Sequence, residues 1–221
     1  MLASKRLYPL IACAGIAAAA VAALAAVVGQ PDPVPYPDSL DLTISEYAAL
    51  DRSGVTGFVM ASLGIASLAL VAGLRATGAP VGVLAERLMR VWGAGLILLA
   101  VLPPALPGTG TGTDLIGQAY RYLSIAVFVA MPVAGGLLVA RFNEDERWRP
   151  VARTVEWLAL AGGFGLLVIT YVALPGHGVL AGLAEWILLG TEVALVGVLA
   201  ARLARLTWAR SATQASRAAL G

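Results

Sequence analysis

Glu185 and Glu192 have the strongest claim to chemistry, because both stand inside an apolar stretch long enough to cross a bilayer. A carboxylate in hydrocarbon is costly unless it is paired, protonated or wet, so an acidic side chain there marks a candidate site. The two are seven residues apart. That is nearly two helical turns, so they share one face. Glu192 falls near the middle of the stretch and is expected to carry its proton at neutral pH. Glu185 falls nearer the start, just beyond His177 in the short turn Pro175-Gly176-His177-Gly178. Arg121, between Tyr120 and Tyr122, is the expected partner for Glu185, with Asp114 or an acidic loop as competitors. These residues predict a polar cavity lined by Glu185, Glu192 and Arg121, with Tyr120, Tyr122 and His177 at its mouth. Such a cavity could accept a lipid headgroup or relay a proton. The alternative is an interhelical hydrogen bond that only fixes the bundle.

Other chemistries find no support. One histidine cannot make a bis-histidine haem site within one chain. No Cys/His cluster has zinc spacing, and no HExxH, GxSxG or P-loop motif occurs. No catalytic residue, metal or cofactor is expected, and no nucleic acid as partner.

The elements that must position these residues are read from hydropathy. Mean hydropathy is +0.84, with 59% hydrophobic and 13% charged residues, where a soluble domain carries about a quarter charged. A spanning helix needs roughly 20 mostly apolar residues. Six runs qualify, at about 7–28, 55–74, 88–106, 120–140, 155–173 and 179–201. The expected fold is all-α, a polytopic membrane protein with a six-transmembrane-helix bundle as a single domain over 1–221. The first run follows Lys5 and Arg6 and also has features of a signal peptide, but it is longer than the usual apolar region of one. That favours an uncleaved helix. Cys13 is the single cysteine, so no intrachain disulfide can form.

Orientation follows from the basic residues near the helix ends. With the N-terminus inside, thirteen of fifteen basic residues fall on the inner side, and Arg52 and Arg121 fall outside. Both termini are therefore expected in the cytoplasm and the protein in the plasma membrane. The outer connection 30–54 starts with prolines at 31, 33, 35 and 37, which favour an extended path. Thr43 and Glu46 then have the spacing of a capping box, predicting a short interfacial helix over about 44–51. The acidic residues of this loop are read as solvated, and the arginines of the inner loop 141–153 as ordinary positive-inside topology. Glycines at 135, 136, 162, 163 and 165 are read as close-packing or flexible points inside helices, and Pro132 as a kink.

Several short elements carry a resemblance to a known family. Ile44-Ser45-Glu46-Tyr47 follows the first helix, and Phe58 and Gly64 lie in the second. The third ends in a Pro- and Gly-rich turn, Leu102-Pro103-Pro104 through Pro107-Gly108, and the sixth opens with Gly182-Leu183-Ala184-Glu185. In this layout the chain resembles the DUF998 family of six-helix bacterial and archaeal membrane proteins. Where the family pattern has a histidine near the start of helix four, this chain has Tyr120-Arg121. Where it has an arginine after the helix-six glutamate, this chain has Trp186. The resemblance implies a six-helix membrane fold and no assigned biochemistry. A more distant likeness to membrane proteins linked to lipid organisation is one of fold only.

The leading expectation is a non-enzymatic protein that binds or organises lipid, or another amphiphile, in a polar outer-leaflet cavity. Membrane lipids would be its partners. The alternatives are a small proton-coupled transporter with Glu192 as carrier, or an accessory subunit whose glutamates face a protein partner in the membrane.

Overall fold

A computed structural model describes residues 2–28, 43–44, 54–102, 115–172 and 181–218. Six helices account for nearly all of them: α1 (Leu2–Val28), α2 (Val55–Ala76), α3 (Val83–Val101), α4 (Leu115–Glu144), α5 (Arg149–Val172) and α6 (Ala181–Ala218). There is no strand among the described residues. The helical choice follows from the solvent: with no water in hydrocarbon, each backbone N–H and C=O must find its partner within its own segment. α2, α4, α5 and the Ala181–Trp208 part of α6 are long and apolar enough to span a membrane by length and composition. α1 offers the shorter apolar segment Leu7–Ala23, and α3 opens with the charged Glu86, Arg87 and Arg90.

Each helix packs against the next in sequence, and α6 returns to α1, so the six form a closed ring. α6 also touches α2 and α4. No backbone approach links α3 to α6 among the described residues. Buried side chains run through the interior, among them Leu70, Met89, Trp92, Met131, Leu188, Leu195 and Leu199. α5 is the most peripheral helix, and its Trp157, Leu160, Phe164, Leu167 and Tyr171 face outward. In water that apolar stripe would be a liability; against lipid tails it is matched to its surroundings.

The helix ends follow local rules. α2 stops in a Schellman motif, with Ala79 N–H donating to the Leu74 carbonyl at 2.9 Å and Gly78 N–H to the Arg75 carbonyl at 3.1 Å. The motif requires a left-handed residue, which Gly78 supplies at φ 66°. The α4–α5 turn is held by Asp145, whose carbonyl accepts from the N–H groups of Trp148 (2.9 Å) and Arg149 (2.8 Å). Its carboxylate accepts the Arg147 N–H at 2.8 Å. Trp148, 1% exposed, stacks on Phe142 with ring centroids 4.8 Å apart and seals this end of the bundle.

Every helix differs from the hydropathy reading at one end or both, and two of the differences have a clear physical reason. The third helix, expected at 88–106, spans Val83–Val101. Its first turns carry charge and so escaped a hydropathy count, yet they form a helix whose Glu86 pairs with Arg75 (3.2 Å) and Arg90. The sixth helix, expected to stop at 201, continues to Ala218, because Ala, Leu and Arg propagate a helix as well in water as in lipid. The expected interfacial helix over 44–51, Ile44 apart, lies outside the described residues, as do Asp114, His177 and the turn around it.

Candidate functional site

Glu192 stands eleven residues into α6 from Ala181, about 16 Å along the axis at 1.5 Å per residue, near the middle of the bundle. It is 1% exposed. Its Oε2 accepts the indole N–H of Trp92, on α3, at 2.8 Å. Its Oε1 is buried and has no hydrogen-bond partner. A buried indole N–H normally finds an acceptor, and in this interior that acceptor is Glu192. The bond crosses the ring between two helices whose backbones do not approach one another.

A cavity of about 170 Å³ opens directly beyond this pair, toward the end of the bundle that carries Ile44. Leu96, one turn from Trp92 on α3, and Leu189, one turn from Glu192 on α6, line it. α2 contributes Thr56, Val59, Met60 and Leu63, and α4 contributes Tyr120, Ser124, Val127 and Phe128. Among the described residues the lining is apolar apart from Thr56, Tyr120, Ser124 and Trp186, and no charged side chain belongs to it. Its volume resembles that of the ~150 Å³ apolar cavities that hold a benzene ring.

Glu185 acts on the cavity through Ile44. Its Oε2 accepts the backbone N–H of Ile44 at 2.9 Å. Ile44 is 4% exposed and lines the cavity, so the carboxylate fixes one residue of the wall. Arg121 is placed differently from the sequence expectation. It lies exposed on the outward face of α4, and among the described residues no ion pair joins it to Glu185. Tyr122 is also exposed, whereas Tyr120 is buried and lines the cavity. Helical register is the reason: successive residues turn by about 100°, so Tyr120 points inward and Arg121 and Tyr122 do not. Among the described residues the wall of the expected polar cavity is therefore largely apolar, with Glu185 bonded to one of its residues and Glu192 one turn from another.

Two participants are not among the site residues expected from the sequence, Ile44 and Trp92. Ile44 acts through its backbone, which no side-chain pattern can signal. Trp92 did leave a signal: it is a tryptophan in mid-helix, and the one deep carboxyl on another helix is its natural acceptor.

The arginine-rich end of the bundle is a separate polar layer. Arg147 donates to both carboxylate oxygens of Asp145, at 3.1 and 2.7 Å, and more weakly to the Gly78 carbonyl at 3.4 Å. The guanidinium of Arg202 donates to the Arg147 carbonyl, its Nε at 2.8 Å. Hydrogen bonding from Arg147 holds the Asp145 carboxyl below its ordinary value. These contacts tie α2, α6 and the α4–α5 turn together and leave no cavity comparable to the one near Ile44.

Residues 16–202 match the family described as "Protein of unknown function (DUF998)". The chain belongs to the DUF998 family. No curated protein and no solved structure matches this DUF998 chain. The matched region begins inside α1 and ends inside α6, so it contains the Trp92–Glu192 pair, Glu185 and every residue of the cavity wall. The part of α6 beyond 202 lies outside it.

Proposed function

We propose that this DUF998 protein binds an amphiphile of the membrane, holding part of its apolar chain in the cavity between α2, α3, α4 and α6. The observation that supports this is a largely apolar cavity of about 170 Å³, one of whose wall residues, Ile44, a carboxylate holds in place. An interior that merely packed would fill such a space, since protein cores leave few voids larger than a water molecule. The role is binding or distribution of lipid, a reading that the apolar character of the described wall supports.

Native mass spectrometry of protein extracted gently from its own membrane is expected to show a retained amphiphile. Ser124→Phe should remove it. The Ser124 hydroxyl is engaged only with its own helix, donating to the Tyr120 carbonyl at 2.9 Å, so its loss costs the fold little while the ring occupies the cavity. A bare wild type, or an amphiphile kept equally by the variant, would overturn the reading.

The orientation proposed with it places the arginine-rich end in the cytoplasm and the Ile44 end in the outer half of the plasma membrane, following the excess of basic residues. Cys13 is the single cysteine, so a Cys13→Ser background gives a clean test. Asn143→Cys should then react with a membrane-impermeant maleimide only after cells are opened. Labelling in intact cells would reverse the assignment.

A further inference from the structure

We propose that Glu192 Oε1 is the polar contact for the inserted end of the cavity's ligand, and that this end carries an uncharged hydrogen-bonding group, a hydroxyl or carbonyl. The inference rests on the amphiphile-binding reading and specifies which amphiphiles fit. Three observations lead to it. Among the described residues the cavity wall carries no charged side chain, and Arg121 lies exposed on α4. A phosphate or ammonium group pushed against these residues would lose its hydration with no counter-charge from them to replace it. An uncharged polar group loses far less on the same transfer.

The second observation is the orphan oxygen. Glu192 Oε1 is buried without a partner while its twin is taken by Trp92. Buried polar atoms are nearly always satisfied, and an exception in a well-packed interior calls for a functional account. The third is position. Leu96 and Leu189, which line the cavity, are one turn from Trp92 and Glu192 respectively. Neither Trp92 nor Glu192 is among the described lining residues, so the carboxyl lies one turn past Leu96 and Leu189, and a chain entering from the Ile44 end reaches it by parting these two side chains. Trp92 holds Oε2 and thereby fixes the orientation of Oε1. A ligand hydroxyl or carbonyl arriving there meets a single acceptor or donor, and the Ile44 end remains for the rest of the molecule.

The test uses three probes of equal chain length: decan-1-ol, decyl phosphate and decyltrimethylammonium. Each is added to the full-length protein in detergent and its retention is read by native mass spectrometry. Wild type should retain decan-1-ol over the two charged probes. Glu192→Leu should weaken decan-1-ol retention roughly tenfold, the value of one buried hydrogen bond. Glu192→Gln, which keeps a donor and an acceptor at that depth, should hold it to within a few-fold of wild type. Infrared difference spectroscopy of wild type gives a readout that does not depend on the stability of Glu192→Leu. The carboxyl band assigned by its loss in Glu192→Gln should shift when decan-1-ol is added. Preference for a charged probe, equal retention of decan-1-ol by Glu192→Leu, or an unmoved carboxyl band overturns the assignment of Glu192. Retention of none of the three, with a bare protein from the native membrane, overturns the amphiphile reading itself.

Discussion

Trp92→Phe should destabilise the protein by about 1–2 kcal/mol, and a second substitution, Glu192→Leu, should return much of that loss. The single change leaves both oxygens of a buried carboxyl without a donor, and the cost of an unsatisfied buried group is larger than the net value of the bond it lost. Glu192→Leu alone strands the indole N–H instead. With both polar partners gone, neither an indole N–H nor a carboxyl is left stranded, and only a modest volume deficit remains. Interhelical hydrogen bonds within membranes average well under 1 kcal/mol and reach about 1.7. This one belongs at the upper end, since Trp92 is 0% and Glu192 1% exposed. Reversible unfolding in mixed micelles supplies the four corners of the cycle. Single costs that simply add in the double variant, to within about 0.5 kcal/mol, would show that the pair is not coupled.

The larger effect is expected at Gly64. A methyl group there would meet the Gly93 carbonyl oxygen at 2.5 Å and Ile97 Cγ1 at 2.7 Å. The obstacle is backbone, which cannot rotate aside as a side chain can. Gly93 is the reciprocal case, its added carbon falling 3.0 Å from the Gly64 carbonyl oxygen. Helices α2 and α3 thus approach closely through a glycine on each, as small residues allow in membranes. Gly64→Ala should cost about 1–3 kcal/mol by overpacking, and Gly64→Leu should prevent a stable bundle. Gly163 is the control: nothing lies within 4 Å of a carbon added there. Gly163→Ala should be neutral or stabilising by up to about 1 kcal/mol, through helix propensity. Thermal unfolding in detergent separates the cases. A Gly64→Ala protein as stable as wild type would mean that α2 and α3 can move apart freely.

The fold was legible because hydrocarbon is a strict solvent. Apolar runs located all six helices, and the arginines at their ends separated the two ends of the bundle. What escaped was whatever water also permits. The charged first turns of α3 and the arginine-bearing continuation of α6 are helical without being apolar, so a hydropathy count passed over them. The candidate site was legible in part. Spacing placed Glu185 and Glu192 on one face, and both do turn inward. The proposed pairing of Glu185 with Arg121 did not appear. Two residues that look close on a topology diagram can project from opposite faces of their helices, and only the rotation of α4 about its axis decides that. Among the described residues Glu185 accepts from the N–H of Ile44, and a main-chain amide is the same in every residue. Gly64 was noticed as part of a family pattern, whereas its partner Gly93 became visible only when α2 and α3 were seen side by side.

The ring of sequential neighbours has a consequence for how the chain is made. α1 with α2, α3 with α4, and α5 with α6 are antiparallel hairpins, each able to enter the membrane as a unit while synthesis continues. The Trp92–Glu192 bond joins positions 100 residues apart. Trp92 therefore waits in the bilayer with an unanswered N–H until the α5–α6 hairpin arrives with its carboxyl. α6, made after α3, brings a costly group to bury, and it brings it to an interior where the donor already stands. A nascent chain cut short before Glu192 would leave five helices around an unsatisfied indole, a defect that membrane quality control can recognise.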